Sequence, residues 1–137
     1  MSSMKIFDIA GSALSAQSQR LNIVASNMAN ADSVSSSINE TYRSRQPIFK
    51  AMIDQMHPKE SAVGVRTLGV VESAVPLQQE YAPDHPMANE EGYIFRPNVN
   101  IVEEMANMIS ASRSYQSNVE VVNSAKQMMM GLLRLGQ

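Results

Sequence analysis

The sequence contains no cysteine and no tryptophan, and proline and glycine are missing from long parts of it. Without cysteine there can be no disulfide, no thiolate zinc site and no cysteine nucleophile. All six prolines lie between residues 47 and 97, and glycine is absent from 12–63 and from 93–130. Because both residues interrupt helices, the two ends of the chain are free to form long helices and the middle is not.

The sequence also lacks an excess of charge of either sign. The 11 Lys and Arg nearly balance the 13 Asp and Glu, and no block of like charge occurs. We therefore expect no nucleic-acid partner. No run approaches the roughly 18 apolar residues of a membrane span. Residues 1–31 carry polar or charged side chains at short intervals, which argues against a cleaved signal peptide.

Two stripes of residues, spaced alternately by three and four, are present instead. The first, which we call the α1 stripe after a first predicted helix over residues 4–33, consists of Phe7, Ala10, Leu14, Gln17, Leu21, Val24, Met28 and Ala31. The second, which we call the α2 stripe after a second predicted helix from about residue 100 to before residue 136, consists of Ile101, Met105, Met108, Ser112, Tyr115, Val119, Val122, Lys126, Met129 and Leu133. This rhythm is typical of helices that pack on other helices. The sequence predicts a mainly α fold, with two long terminal helices forming an antiparallel coiled coil and a small, irregular, β-containing middle segment.

The expected boundaries follow from local signals. The first helix should span 4–33. The second should begin near Asn100, which with Glu103 makes a capping box, and should end before Gly136. We expect residues 1–36 and 98–137 to form one discontinuous helical domain and residues 37–97 to form the loop-rich, partly β middle segment.

Within the middle segment, alternating apolar and polar residues predict short strands. Candidate strands are Ile48–Ile53, Gly64–Ser73, with a bulge at Gly69, and Tyr93–Phe95. Residues 76–92 contain three of the prolines and predict an exposed loop.

The other side of the first helix carries small neutral polar groups: Ser12, Ser15, Ser18, Gln19, Asn22, Ser26, Asn27 and Asn30. A solvent-exposed helix face usually carries Glu and Lys, whereas small neutral groups suit close packing between helices. The second helix is crowded with methionine, which adapts to irregular surfaces. One interpretation is a helix surrounded by several copies or relatives of itself. The other is an ordinary two-helix hairpin with a serine-rich surface.

Residues able to do chemistry are few. His57 and His85 lie near Asp54 and Asp84, but their spacing matches no compact metal motif. No serine lies in a nucleophile elbow and no glycine pattern could cradle a phosphate. Glu90 with Glu91 and Glu103 with Glu104 could act as acid and base only if the fold buried them. We expect no enzyme activity, no catalytic residue, no metal and no cofactor.

The sequence resembles a known family in two places. Residues 11–21, followed by Ala25-Ser26-Asn27-Met28-Ala29-Asn30-Ala31-Asp32, are similar to the N-terminal signature of bacterial flagellar rod and hook proteins. Asn98-Val99-Asn100, Glu104-Met105 and the run from Ala111 to Asn118 are similar to the C-terminal signature of the same family. The beginning, the end and the short middle segment are most similar to the proximal rod members of the flagella basal body rod family.

The resemblance implies a structural subunit of the proximal rod, a hollow helical drive shaft that crosses the periplasm, transmits torque and encloses the export channel. The implied partners are copies of the chain itself, other flagellar rod proteins and the adaptor joining the rod to the membrane ring. The resemblance also implies export by the flagellar type III export apparatus, without a cleaved signal. The residues predicted to lie at helix or subunit interfaces are Phe7, Ala10, Leu14, Ser15, Ala16, Leu21, Val24, Asn27, Met28, Asn30, Met105, Met108, Arg113, Tyr115, Asn118, Val119, Val122, Met129 and Leu133.

Export substrates of this type resemble one another in a short element that begins with phenylalanine and ends in an apolar residue. Phe49 and Ile53 fit that form as a candidate export-gate element. A different class of function also fits the pattern of elements, namely a soluble helical-hairpin adaptor or binding module with a β-rich insertion.

Overall fold

The structure is a computed structural model that describes residues 3–52 and 63–136. Its elements, in chain order, are helix α1 (Ser3–Ala29), strands β1 (Arg45–Ala51), β2 (Val65–Glu72), β3 (Gln78–Tyr81) and β4 (Tyr93–Arg96), and helix α2 (Ile101–Leu135). Two long terminal helices enclosing a small β-containing middle confirm the predicted fold class.

The two helices pack against each other in an antiparallel arrangement. Arg20 of α1 donates a hydrogen bond to Asn107 of α2, and Asn27, further along α1, donates to Glu104, which lies earlier in α2. Both donor-to-acceptor distances are 3.0 Å. The buried apolar residues between and beside the helices are small: Ala10, Ala16, Val24, Ala111 and Ala125. Small side chains at these buried positions allow two helices to approach each other closely.

Asparagine side chains satisfy backbone groups at the end of α1 and at the start of α2. The Asn100 side chain accepts from the N–H groups of Val102 and Glu103, which confirms the predicted start of α2. Helix α1 stops at Ala29, four residues before the predicted end. The reason lies at Asn30, whose side-chain amide donates to the carbonyl oxygen of Ser26 at 2.8 Å and closes the last turn.

The α1 stripe lies as its spacing predicts, because every member of it is buried or half-buried. The α2 stripe does not face α1 along its whole length. Ile101, Met105 and Leu133 are 42%, 50% and 71% exposed, while Glu104 and Ala111 lie buried instead. Since α2 has apolar residues on several faces, a three-and-four pattern can be drawn along more than one of them.

The middle segment contains two antiparallel hairpins. In the first, β1 pairs with β2: Arg45 lies opposite Glu72 at one end and Ala51 lies opposite Val65 at the other. The register shifts after Ile48. Leu68 is the extra residue of this bulge, next to the predicted position at Gly69. The strands agree with the predicted ones within three residues at each described end; Ile53, the predicted end of the first strand, lies outside the described residues.

The second hairpin corrects the prediction of a loop over residues 76–92. Gln78–Tyr81 forms β3 and pairs with β4, so that Gln78 lies opposite Arg96 and Tyr81 lies opposite Tyr93. The sequence of β3 is polar and exposed, so it lacks the alternation that marks a strand. Its partner is different, because Ile94 and Phe95 of β4 are buried. Pairing with β4 therefore imposes the strand.

Candidate assembly surfaces and the polar joint

A buried asparagine connects α1, the middle segment and α2. Asn27 is only 1% exposed. Its Oδ1 accepts from the Tyr42 hydroxyl at 2.8 Å and from the Arg45 backbone N–H at 2.9 Å. Its Nδ2 donates to the Arg45 carbonyl oxygen at 2.8 Å and to Glu104 Oε1 at 3.0 Å. We call Asn27, Tyr42, Ser44, Arg45 and Glu104 the polar joint.

The chemistry of the amide explains why asparagine occupies this position. A carboxamide offers both an acceptor oxygen and two donor hydrogens, so Asn27 pairs with the N–H and the C=O of Arg45 as a neighbouring strand would. A carboxylate could not donate and an apolar side chain could do neither. The first residue of β1 is thus held against the last two turns of α1, and the same amide reaches α2.

Glu104 is the ionisable member of the polar joint, and only 5% of it is exposed. Burial raises the pKa of its carboxyl, and the nearby Glu103 charge adds to the rise. Hydrogen bonding by Asn27, the Ser44 hydroxyl and the Arg20 charge oppose that rise without cancelling it. Its second oxygen, Oε2, is buried and has no hydrogen-bond partner of ordinary geometry among the described residues.

Asn98 extends these contacts to the segment that leaves the first hairpin after β2. Its Oδ1 accepts from the Ser44 N–H at 2.8 Å, and its Nδ2 donates to the Val75 carbonyl oxygen at 2.7 Å. Ser73 N–H donates to the Ser44 carbonyl oxygen at 2.8 Å. The segments that enter and leave the hairpin are therefore tied together just before α2 begins.

The far end of the first hairpin lies on the N-terminal half of α1. The Ser12 hydroxyl donates to the Ile9 carbonyl oxygen at 2.7 Å and accepts from the Val65 N–H at 3.0 Å. A Cβ on Gly64 would come within 2.9 Å of Ser12 Oγ. The hairpin thus runs along α1 from Asn27 to Ser12, which at about 1.5 Å per residue is on the order of 22 Å.

These contacts divide the small polar face of α1. Ser12, Ser26, Asn27 and Asn30 make hydrogen bonds within the chain. Ser15, Ser18, Gln19 and Asn22 are exposed. Part of the face expected to meet other subunits therefore holds the chain's own middle segment, and the remainder is open.

The predicted interface residues of α1 occupy both environments. Ala10, Ala16, Val24 and Asn27 are buried, Phe7, Leu14, Leu21, Met28 and Asn30 are half-buried, and Ser15 is exposed. On α2, Met108, Asn118, Val119, Val122 and Met129 are half-buried, whereas Met105, Arg113, Tyr115 and Leu133 are exposed. Most of these residues are thus at least partly covered within the single chain, and the exposed ones are fully available to a neighbour.

Sequence reasoning named Asn27 but missed its partners. Tyr42, Ser44 and Arg45 lie 15 to 18 residues after Asn27 and Glu104 lies 77 residues after it, so no local pattern connects them. The available signals were the Asn27–Asn30 motif and the Glu104–Met105 pair, which were quoted for the family resemblance and not for a contact.

The charged pairs considered for chemistry also have clear positions. Glu103 is exposed and Glu104 is buried, and both line a groove of about 370 Å³ with Arg20, Arg45 and Phe49. The described residues include no group of three or more His, Asp or Glu side chains that could hold a metal ion. His85 Nδ1 accepts from the Met87 N–H at 3.0 Å in a turn, and Asp54 and His57 lie outside the described residues.

In the described part of the chain, neither α1 nor α2 is apolar enough over a sufficient length to cross a membrane.

Comparison with known proteins assigns the family. The family described as "Flagella basal body rod protein" matches residues 7–35, and the one described as "Flagellar basal body rod FlgEFG protein C-terminal" matches residues 90–135. Flagellar basal-body rod protein FlgC of Escherichia coli O6:H1 is 50% identical over 137 residues, which is 100% of each chain. FlgC of Salmonella typhimurium is 49% identical over 137 residues, and FlgC of Borreliella burgdorferi is 33% identical over 95% of each chain. The chain belongs to the FlgC family of flagellar basal-body rod proteins.

This membership confirms the family resemblance seen in the sequence. The chain is a structural subunit of the flagellar basal-body rod, and its place is the basal body. One family match covers α1 and the other covers β4 and α2, and the polar joint links the two helices directly through Asn27 and Glu104. The relatives are named as rod proteins, in agreement with the expectation that the chain is not an enzyme.

Proposed function

We propose that the chain assembles with copies of itself and with other rod proteins into the proximal part of a hollow helical shaft. That shaft would cross the periplasm, transmit motor torque and leave a central export channel. The observation that carries the proposal is the full-length similarity to proteins named as rod subunits, together with terminal helices that keep long exposed faces.

A torque-bearing tube makes specific demands on its subunit. A head-to-tail contact that does not close into a ring generates a helix, so each subunit must offer different surfaces to different neighbours. The chain offers at least two such surfaces. One is the open polar face of α1, with Ser15, Ser18 and Asn22, and the other is the exposed apolar side of α2, with Val102, Met105 and Ile109.

The C-terminal end of α2 supplies a third surface. Helix α2 has 35 residues and α1 has 27, and their antiparallel pairing places the excess at the C-terminus of α2. Eight residues extend a helix by about 12 Å. Met128, Leu132 and Leu133 in this part are 60%, 65% and 71% exposed. Neighbouring subunits would cover these apolar side chains.

The finer partners follow from the same proposal. The chain would contact the adaptor that joins the rod to the membrane ring, and it would be exported by the flagellar type III apparatus without a cleaved signal. Phe49 would mark the export-gate element, although in the fold it is half-buried in β1, so the gate would meet it in an unfolded chain. Its proposed partner Ile53 lies outside the described residues.

The proposed domain division also needs refinement. Residues 1–36 and 98–137 would form the helical domain and 37–97 the middle segment, but the polar joint ties residues 42–45 firmly to both helices. The middle segment would therefore move with the helix pair as the rod turns.

Deletion of the gene tests the proposal directly. Bacteria without this chain should lack rod, hook and filament while the membrane ring remains, and a copy of the gene should restore swimming. A deletion strain that still builds a complete rod would contradict the proposal and favour the soluble adaptor, which needs no place in the shaft.

A further inference from the structure

The strongest unexplained feature is a buried carboxyl at the point where three segments meet. Glu104 of α2 contacts Asn27 of α1, and Asn27 in turn holds both backbone polar groups of Arg45 at the start of β1. A structural subunit does not need an ionisable group here, because an amide would make the same contact to Asn27. Burying a carboxylate costs free energy unless its oxygens are paired.

We propose that Glu104 is a protonation-sensitive latch, which holds residues 42–45 and the first hairpin against the helix pair more firmly when it is protonated than when it is ionised. The geometry supports this because Oε1 already receives the Asn27 amide, while Oε2 is buried with no hydrogen-bond partner of ordinary geometry among the described residues, although the Ser44 hydroxyl lies near the carboxyl. Protonation removes the negative charge from a carboxyl group that has only one ordinary hydrogen bond.

Charged and titratable groups approach Glu104 from each packed element. Glu103 on the same helix disfavours the ionised form, and Arg20 on α1 favours it. Arg45 lines the same groove from β1, and the Tyr42 hydroxyl is linked to Glu104 through Asn27. The net direction is a raised pKa, with burial as the largest cause.

The position of Glu104 in the first turns of α2 acts in the opposite direction. The helix dipole stabilises a negative charge in the first turn of a helix, and Glu104 lies at the end of that turn. Its N–H is already bonded to the Asn100 carbonyl oxygen at 3.0 Å, so its own backbone has no free donor to offer a carboxylate. Burial acts against the ionised form and is the largest cause of the raised pKa.

The sign of the pH dependence follows from the raised pKa in the docked state. A carboxyl that binds its proton more tightly when docked stabilises the docked state below its undocked pKa. That stabilisation is lost as the pH rises through the docked pKa. The hairpin should thus open more readily towards neutral pH, by up to about tenfold for each unit between the two pKa values.

Hydrogen exchange of the full-length chain tests the latch at named amides. The reporter is the Arg45 N–H, which donates to Asn27 Oδ1, and the internal control is the Phe95 N–H, which donates to the Ser35 carbonyl oxygen at 2.9 Å. After correction for intrinsic exchange, protection of Arg45 should rise severalfold as the pH falls from about 7 to about 4, while that of Phe95 should not follow.

Two substitutions separate the latch from a general effect of acid. Glu104→Gln should make Arg45 protection independent of pH over this range. Glu120→Gln, at an exposed position on the same helix, should leave the dependence as it is in the unsubstituted chain. Equal pH dependence in the Glu104→Gln variant, or no protection of Arg45 at any pH, would overturn the proposal.

A titration of the unsubstituted chain keeps the proposal testable even if Glu104→Gln does not fold. Carbon-13 NMR of the glutamate side-chain carboxyls should show Glu104 titrating above the ordinary range of a glutamate carboxyl. Titration of Glu104 within or below that range would refute the latch.

Discussion

At the scale of single residues, Asn27 connects the parts of the chain that fold back on one another. One side chain joins α1 to β1 and to α2 through the Arg45 backbone and Glu104. Because those partners are buried or held in place, removal of the amide leaves several polar groups without a bond, and each such group costs about 1–3 kcal/mol.

Asn27→Ala should therefore lower the free energy of unfolding by roughly 3 kcal/mol or more. Denaturant unfolding of the purified chain measures the loss. Asn22→Ala is the matched control, since Asn22 lies on the same helix but is exposed, and it should change stability by less than about 0.5 kcal/mol. Equal losses in the two variants would show that the polar joint has no special weight.

Gln17 shows the opposite case, a buried polar atom with nothing to bind. Its Oε1 lies in the interior and has no hydrogen-bond partner among the described residues. Gln17→Met keeps the length of the side chain and removes that atom, so it should raise the free energy of unfolding by about 1 kcal/mol. Gln19→Met, at an exposed position, should give no such gain. Unchanged or lower stability of Gln17→Met would mean that the amide is satisfied in solution.

At the scale of elements, the first hairpin is held on α1 at both of its ends. The polar joint holds the start of β1, and Ser12 with Gly64 holds the other end, where the strands approach α1 closely. Between them, Pro47 and Phe49 of β1 are half-buried. The hairpin is thus a layer on the helix, although its outer residues Ile48, Leu68 and Val70 remain exposed.

Gly64→Ala should loosen the far end of the hairpin. The added Cβ would lie 2.7 Å from Met52 Cε and 2.9 Å from Ser12 Oγ. The flexible Met52 end can move aside, but Ser12 is held by its two hydrogen bonds, so the Val65–Ser12 bond should break at a cost of about 1 kcal/mol. Faster exchange of the Val65 amide would report this opening.

Gly69→Ala is the control for that change. Nothing lies within 4 Å of a Cβ at Gly69, and both glycines lie outside the positive-φ region. Each substitution gains the same few tenths of a kcal/mol from the stiffer unfolded chain, so the difference between them isolates the contact with Ser12. No difference in Val65 exchange would show that the hairpin does not depend on that contact.

At the scale of the whole molecule, the open face of α1 and the exposed apolar parts of α2 remain without partners within one chain. The described part of the chain leaves Ser15 exposed, whereas Ala16 beside it is 5% exposed. A charge at these two neighbouring positions would consequently act in different ways.

Ser15→Glu should abolish motility while the protein is still made and exported, because it places a charge where a neighbouring helix would pack. Ala16→Glu should also abolish motility, but through loss of the fold, since it buries a charge inside the chain. Gln79→Glu adds the same charge on exposed β3 and should swim normally. Swimming assays with immunodetection of exported protein would distinguish these results, and normal swimming of Ser15→Glu would contradict the role of this face.

Several elements were predictable from local pattern. The α1 stripe identified the buried side of α1, and Asn100 identified the first residue before α2. The α2 stripe was less informative because methionine and valine occur on several faces of that helix. Strand β3 could not be predicted, since Gln78–Tyr81 becomes a strand only by pairing with β4.

By itself, the sequence determined that the chain has two long terminal helices with a β-containing middle, and it contains the residues that mark its family. Those properties depend on spacing, breakers and capping, which act over a few residues. The tertiary structure alone decided which part of the polar face of α1 serves the chain itself. Asn27, Tyr42, Asn98 and Glu104 meet across separations of up to 77 residues. Hydrogen bonds between buried groups require three-dimensional proximity, which no local pattern contains.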